Sequence, residues 1–249
     1  MTAAGWIRTA LVVAFVAAVE LMCRTGIIPH SVLVPPSEMA SELLSILVAG
    51  TMTGDIVSTF GNALLATVIA VGLGFALGLA IHALPALRSA IEPLLASYYA
   101  VPTFIYYPVF IVLFGVGDRA IIAIAVLLAV VAMITATLNG IDRIPPVLTK
   151  TARIYRMSRL KTALMVQLPA AAPHLFTGVK LSVAYAFIGV IASEFILSGS
   201  GLGYEIAYAY NNFENRKMYA LMLLVLLSVA LINAVLDIVD DRLQARRRR

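Results

Sequence analysis

Six long apolar runs constrain this chain more than any other feature. They fall at about 6–25, 57–84, 90–115, 119–139, 173–197 and 217–239. Each reaches the roughly 20 residues that an α-helix needs to cross the hydrocarbon core of a bilayer. The chain is 61% hydrophobic and 12% charged over 249 residues, with a mean hydropathy of +0.97. A soluble fold of that length has no use for so much apolar surface. In lipid, a spanning segment must satisfy its own backbone groups, so runs of this kind fold as helices. The expected class is all-α: a polytopic membrane protein with about six transmembrane helices. The first run is too long, and too weakly followed by a cleavage pattern, to be a removed signal peptide, and it reads as a retained helix.

Orientation follows from Lys and Arg in the connections. With the N-terminus inside, one face holds Arg8, Arg88, Arg143, Lys150, Arg153, Arg156, Arg159, Lys161, Lys180, Arg242 and Arg246 to Arg249, which is 14 of the 18 basic residues. The other face holds Arg24, Arg119, Arg216 and Lys217. Both termini and the 140–172 connection are therefore expected in the cytoplasm. The net charge of +5 reports this topology and implies no nucleic-acid partner. The terminal arginine run suits an anchor to anionic membrane lipid.

Several chemistries are missing from the sequence. There is no GxxxxGK[ST] loop for ATP phosphates, no HExxH, no CxxC and no GxSxG. His30, His82 and His174 lie far apart, so a metal site within one chain is not expected. The single cysteine, Cys23, has no partner for an internal disulfide. No catalytic residue, bound cofactor or metal is expected, and the chain does not read as an enzyme.

The polar insertions carry the remaining information. Residues 37–48 form a short amphipathic run with the stripe Met39, Leu43, Leu44 and Leu47, and Ser37 is placed to cap it. This predicts a short interfacial helix. The second apolar run contains Gly72, Gly74 and Gly78, the last two a GxxxG spacing that allows close helix approach, read as packing within the chain. Asn62 suits a cap or an interhelical hydrogen bond. In the third run, Tyr98, Tyr99, Pro102, Tyr106, Tyr107 and Pro108 cluster. Two prolines kink a membrane helix, and tyrosine hydroxyls need polar partners. The cluster is either an aromatic belt at an interface or a pathway-lining, gating segment. Asp118, after the turn Phe114-Gly-Val-Gly117, is placed to cap the fourth helix.

Pro173 suits the first turn of the fifth helix, and Lys180 can extend to the interface. Glu194 lies about 21 Å further along the axis. It is either an intramembrane functional carboxylate or a helix-end acid at the headgroups. The run Ser198-Gly-Ser200-Gly201-Leu202-Gly203-Tyr204 needs unusual backbone angles and predicts a bend. Residues 204–217 suit a surface that meets a soluble partner.

Residues 145–169, PPVLTKTARIYRMSRLKTALMVQLP, are basic and amphipathic between two blocks of apolar helices. Leu148, Ile154, Met157, Leu160 and Leu164 form the apolar side of an expected helix over 146–165. So long a polar insert implies a partner for it to touch. On the residues alone, an ion-coupled secondary carrier or channel using Glu194 is the competing reading.

From about Leu33 onward the chain resembles the binding-protein-dependent ABC importer permeases of the nitrate, sulfonate and taurine type. The features that carry the resemblance are LVPPSEMASEL at 33–43, Val101-Pro102 with Pro108 and Phe114-Gly-Val-Gly117, the 150–169 stretch with its Leu168-Pro169, and Ala192-Ser-Glu194 followed by Ser200-Gly201-Leu202-Gly203-Tyr204. The resemblance implies one permease domain over 1–249 with the type I importer fold, in a bacterial cytoplasmic (inner) membrane, and a cytoplasmic coupling loop at 145–169. It implies a cytoplasmic ABC ATPase dimer that uses ATP and Mg, a periplasmic or lipid-anchored solute-binding protein, and a second permease subunit, self or sibling. Coupling then falls to Lys150, Thr151, Ala152, Arg153, Arg156, Ser158, Arg159, Leu160, Leu168 and Pro169. The pathway and gate fall to Tyr98, Tyr99, Pro102, Tyr106, Tyr107, Pro108, Tyr185, Glu194, Ser200, Gly201 and Gly203. Where the family loop carries an acid and, after a fixed spacing, a glycine, this chain carries Lys150 and Arg156. The solute implied is a small organic anion or, because tyrosines stand at 99 and 185 where many relatives carry arginine, an aromatic or vitamin-precursor compound.

Overall fold

The computed structural model describes residues 3–247, excluding the side chains of residues 3, 4, 8, 159, 160, 197 and 243–247. The arginine run at 246–249 and the side chains of Arg159 and Leu160 thus lie outside the described residues. Eleven α-helices follow one another: α1 (Ala3–Arg24), α2 (Pro36–Ala49), α3 (Thr53–Ala83), α4 (Pro85–Ser97), α5 (Tyr107–Phe114), α6 (Asp118–Asp142), α7 (Pro146–Ile154), α8 (Arg159–Thr162), α9 (Leu168–Leu197), α10 (Leu202–Asn211) and α11 (Asn215–Arg247). Two 3₁₀ turns, Tyr98–Ala100 and Thr103–Tyr106, separate α4 from α5, and a π turn over Ala163–Gln167 joins α8 to α9. No strand occurs among the described residues.

Five of these helical stretches are long and apolar enough to cross a membrane, at Gly5–Arg24, Thr53–Ala83, Asp118–Asp142, Ala163–Ile196 and Asn215–Arg242. The third expected span differs. It breaks into Pro85–Ala100 and Thr103–Phe114, bent by 96° to each other. The break falls at Val101-Pro102, where proline lacks a backbone donor and forces the preceding residue out of helical geometry. Indeed Val101 is extended, with φ −94° and ψ 122°.

α6 is the central helix and packs against both α3 and α9, which also touch each other. Small residues set these crossings. A methyl group on Gly74 would lie 2.6 Å from Met133 Cβ, one on Gly78 2.6 Å from Thr137 Cβ, and one on Gly189 2.6 Å from Ala125 Cα. The GxxxG pair of α3 thus serves contact within the chain, as its sequence suggests. Between them lies a core of Ala63, Ala66, Ala70, Ala125, Ala129 and Ala186 with Ile121, Phe187 and Val190. Without a solvent-driven hydrophobic effect between membrane helices, such close van der Waals contact is what holds them. A second core joins Leu43 and Ile46 of α2 to Leu202, Ile206 and Ala209 of α10 and to Met218 and Leu221 of α11.

Four local expectations are corrected. Ser37 does not cap α2; Pro35 holds that place, and Ser37 gives both its amide (3.0 Å) and its hydroxyl (2.7 Å) to Glu20, tying α2 to α1. Asp118 is the first residue of α6, with Gly117 at the cap, and its carboxylate accepts from the Asn62 amide at 3.0 Å. α9 starts at Leu168, leaving Pro173 inside the helix. The wide π turn just before it relieves the clash that Pro169 would otherwise make with the carbonyl four residues back. Finally, the 146–165 lever is not one helix: α7 ends at Ile154, and residues 155–158 turn before α8. Lys180 pairs with Asp237 and Asp240 of α11.

Candidate functional site

Three places in the fold gather the candidate residues. The first is the N-terminus of α10. A helix leaves its first backbone N–H groups without partners, and here no residue of the local sequence supplies one. Side chains from α3 and α9 do. The Gly201 amide donates to Asp55 Oδ1 at 2.8 Å, the Leu202 amide to Thr59 Oγ1 at 2.9 Å, and the Gly203 amide to Glu194 Oε2 at 3.0 Å. The Thr59 hydroxyl in turn donates to the Glu194 carboxylate at 2.9–3.0 Å. Glu194 is 1% exposed and Thr59 fully buried. The positive end of the α10 dipole offsets the carboxylate charges. Both glycines are required. Gly201 has φ 97° and lies directly against the Glu194 carboxyl group, and a methyl group on Gly203 would collide with the Ile191 carbonyl. The structure therefore brings Glu194, Gly201 and Gly203 together as an interlock of three helices. Ser200 stands beside it, exposed, its amide on Ser198 Oγ at 3.1 Å.

The second place is a groove on the faces of α6 and α9, its surface mostly apolar with a few polar groups. It has a volume of about 240 Å³. Thr135 and Asn139 of α6 and Arg143 just past its end line it on one side, and His174, Thr177 and Tyr185 of α9 on the other. Tyr99, from the 3₁₀ turn after α4, closes one end by stacking on Tyr185, ring centroids 4.9 Å apart and 18° from parallel. Tyr98 meets Tyr99 edge-on at 5.5 Å and donates its hydroxyl to the Leu127 carbonyl at 2.8 Å. The lining contains two groups able to carry positive charge, Arg143 and His174, and no carboxylate. Pro102 precedes the second 3₁₀ turn, Pro108 sits in the first turn of α5, and Tyr106 and Tyr107 are exposed at 44% and 38%. These four do not line the groove.

The third place is the α7–α8 segment, joined to α6 by the short link through Ile144 and to α9 by the π turn. α7 buries Ala152, while Lys150, Thr151, Arg153 and Arg156 are exposed. Ile154 and Tyr155 are 79% and 77% exposed. Ser158 caps α8, its hydroxyl accepting from the Lys161 amide at 3.3 Å. Leu168 and Pro169 begin α9, both exposed. Nearby, Arg88 of α4 makes a two-pronged pair with Asp142 at 2.8 and 2.6 Å, bracing α4 against the end of α6.

Sequence reasoning missed Asp55 and Thr59 of the interlock, and Thr135, Asn139, Arg143, His174 and Thr177 of the groove. The groove residues did leave a signal. On α6 they recur every four residues, and on α9 His174, Thr177, Leu181 and Tyr185 recur at three and four, a single stripe on each helix. The interlock left none, since Asp55 and Thr59 are well over a hundred residues from their partners.

The comparisons with known proteins agree with this architecture. The family described as "Binding-protein-dependent transport system inner membrane component" matches residues 70–249. A nitrate import permease protein, NrtB, of Leptolyngbya laminosa is 30% identical over 68% of this chain and 61% of its own length. The chain therefore matches rather less than two thirds of that relative. A putative aliphatic sulfonates transport permease protein, SsuC, of Bacillus subtilis is 26% identical over 87% of this chain and 79% of its own. A taurine transport system permease protein, TauC, of Escherichia coli is 26% identical over 70% and 66%. Among solved structures, a chain of the inward-facing MetNI methionine ABC transporter, in its native CY5 crystal form, superposes with a TM-score of 0.64 at 20% identity, covering 77% of this chain and 97% of that one. The likeness extends the helical architecture to a permease fold of ABC importers. Helices α6 to α11, with the groove, the α7–α8 segment and the α9–α10 side of the interlock, lie within the family match, and the chain belongs to the binding-protein-dependent transport system inner membrane components.

Proposed function

We propose that this chain is the pore-forming subunit of an ATP-driven importer, that the groove on α6 and α9 is its half of the solute path, and that α7–α8 docks on a cytoplasmic ABC ATPase. The observation that carries this reading is connectivity. The exposed, cationic α7–α8 segment is the direct link between α6 and α9, the two helices that line the groove. A displacement imposed on that segment acts on both walls of the groove at once. Residues 1–249 act as one permease domain, with 145–169 as its coupling loop and 14 of 18 basic residues on the face that would lie in the cytoplasm with both termini. A second permease subunit would close the open side of the groove. A solute-binding protein would deliver the solute at the α10 end. ATP and Mg would be held by the ATPase, and the chemistry of hydrolysis would be the ATPase's alone.

The solute is a small anion. The groove offers Arg143 and His174 with the hydroxyl and amide donors of Thr135, Asn139 and Thr177, and no carboxylate. Nitrate, sulfonates and taurine, named in the relatives, all carry an anionic group. The stacked tyrosines that close the groove's far end from α7–α8 offer an aromatic face to a planar solute. Family membership weighs against the ion-coupled carrier reading, and Glu194, on which that reading rests, already has its bonds within the interlock.

Reconstitution tests this. The chain, the ATPase encoded beside it and the accompanying binding protein are placed in proteoliposomes with labelled nitrate, taurine and an alkanesulfonate. Uptake of one of them that requires ATP hydrolysis is expected. Uptake that follows an ion gradient without the ATPase would overturn the reading.

A further inference from the structure

We infer that Arg156, flanked by Lys150, Arg153 and Lys161, seats the α7–α8 turn on an acidic cleft of the cytoplasmic ATPase. This rests on the docking role assigned above and names the chemistry of that partner surface. Three observations carry it.

The first is the backbone. α7 ends in a Schellman turn: the Arg156 amide donates to the Arg153 carbonyl at 2.9 Å and the Met157 amide to the Ala152 carbonyl at 3.0 Å. Arg156 occupies the left-handed position of that turn, with φ 50°. Glycine takes this conformation without cost, whereas a side chain is strained there. The chain nevertheless keeps a long cationic side chain at the place, exposed at the end of α7. Such an outlier points to a use for the side chain.

The second is charge. Between Arg143 and Ser193 the sequence has seven Lys and Arg and no Asp or Glu. Elsewhere Arg24 pairs with Glu20, Arg88 with Asp142, Lys180 with Asp237, Arg216 with Glu38 and Lys217 with Glu205, while exposed Arg119 and Arg143 stand singly without such a pair among the described residues. The α7–α8 segment differs in density: Lys150, Arg153, Arg156 and Lys161 lie close together along the chain, all exposed and, among the described residues, none in an ion pair. Such a cluster suits carboxylates on another molecule.

The third is the company Arg156 keeps. Ile154 and Tyr155, directly before it, are 79% and 77% exposed. An apolar pair beside a guanidinium suits a protein cleft with carboxylates at its rim, since the guanidinium fork matches a carboxylate in two-pronged geometry, a match that a diffuse anionic lipid surface does not use.

The test measures affinity between the full chain in nanodiscs and the ATPase encoded beside it, across a salt series. Arg156→Gly is expected to leave thermal stability intact or raised, to weaken ATPase binding roughly tenfold, and to flatten its salt dependence. Arg156→Lys, which keeps charge and strain but loses the fork, recovers part of the affinity and most of the salt dependence. Equal affinity of Arg156→Gly and wild type at every salt concentration overturns the proposal and leaves the docking role standing. A loss seen only in discs rich in phosphatidylglycerol, and not in neutral ones, overturns it in favour of lipid. Failure of the wild-type chain to bind the ATPase overturns the docking role as well.

Discussion

The two ends of the bundle solve opposite problems. At the α10 end, the interlock closes inside the chain: Asp55, Thr59 and Glu194 take three of the first amides of a helix that begins without a cap of its own. At the α7 end, among the described residues, four cations and two large apolar side chains face outward, the cations without an ion pair. A region that closes on itself tolerates almost no change and needs no visitor. A region left open tolerates change in stability and is defined by its visitor. The same residue types therefore read differently: buried, bonded Glu194 is a structural joint, while exposed, strained Arg156 is a contact in waiting.

That contrast can be broken by mutation, and the largest effect belongs to the closed end. Gly203→Ala forces a methyl group into the Ile191 carbonyl, which is backbone and cannot move aside. A loss of about 3 kcal/mol or more is expected, seen as collapse of the monodisperse peak in detergent size-exclusion chromatography. A Gly203→Ala protein with an unchanged melting temperature would mean the interlock is loosely packed. Glu194→Ala comes next. It strands the Thr59 hydroxyl and the Gly203 amide, each costing about 1–3 kcal/mol when buried without a partner. Glu194→Gln keeps one acceptor and should fall between it and wild type in thermal melts. Should Gln and Ala prove equally harmful, the charge rather than the bonding is what matters. Gly78→Ala tests the core crossing that both ends share. Its methyl group meets Thr137 at 2.6 Å, so about 1–3 kcal/mol is expected to be lost. The smallest stability effect belongs to the open end. Tyr155→Ala and Arg153→Glu should each shift stability by less than about 0.5 kcal/mol while lowering ATPase co-purification. A marked fall in melting temperature for either would show that the α7 end is also built for the fold alone.

How much of this was legible beforehand depended on distance along the chain. The apolar runs announced the spans because a membrane helix satisfies its own backbone, so its signal is local. Gly74 and Gly78 announced a close crossing for the same reason. The broken third span was visible in Pro102, though a kink was expected where the chain bends by 96°, because the extended Val101 interrupts the helix altogether. The 146–165 segment misled through its continuous amphipathic pattern: the period carries on past Ile154, but the backbone reverses at Arg156, and arginine gives no hint of a left-handed turn. Ser37 and Asp118 looked like caps by type and position, yet both are spent on other helices, Ser37 on Glu20 and Asp118 on Asn62. Asp55 and Thr59 were unreadable because a side chain that caps a distant helix leaves no local trace.

The π turn at Ala163–Gln167 has a geometric result of its own. A π turn holds one residue more than an α turn, and each α-helical residue advances the helix by about 100°. The turn therefore sets the phase between α8 and the stripe of His174, Thr177 and Tyr185 on α9. Removing one residue within it would restore a regular helix and rotate everything on the α8 side by about 100° relative to the groove. The direction in which Lys161 points, measured against the path the helix lines, would change with it.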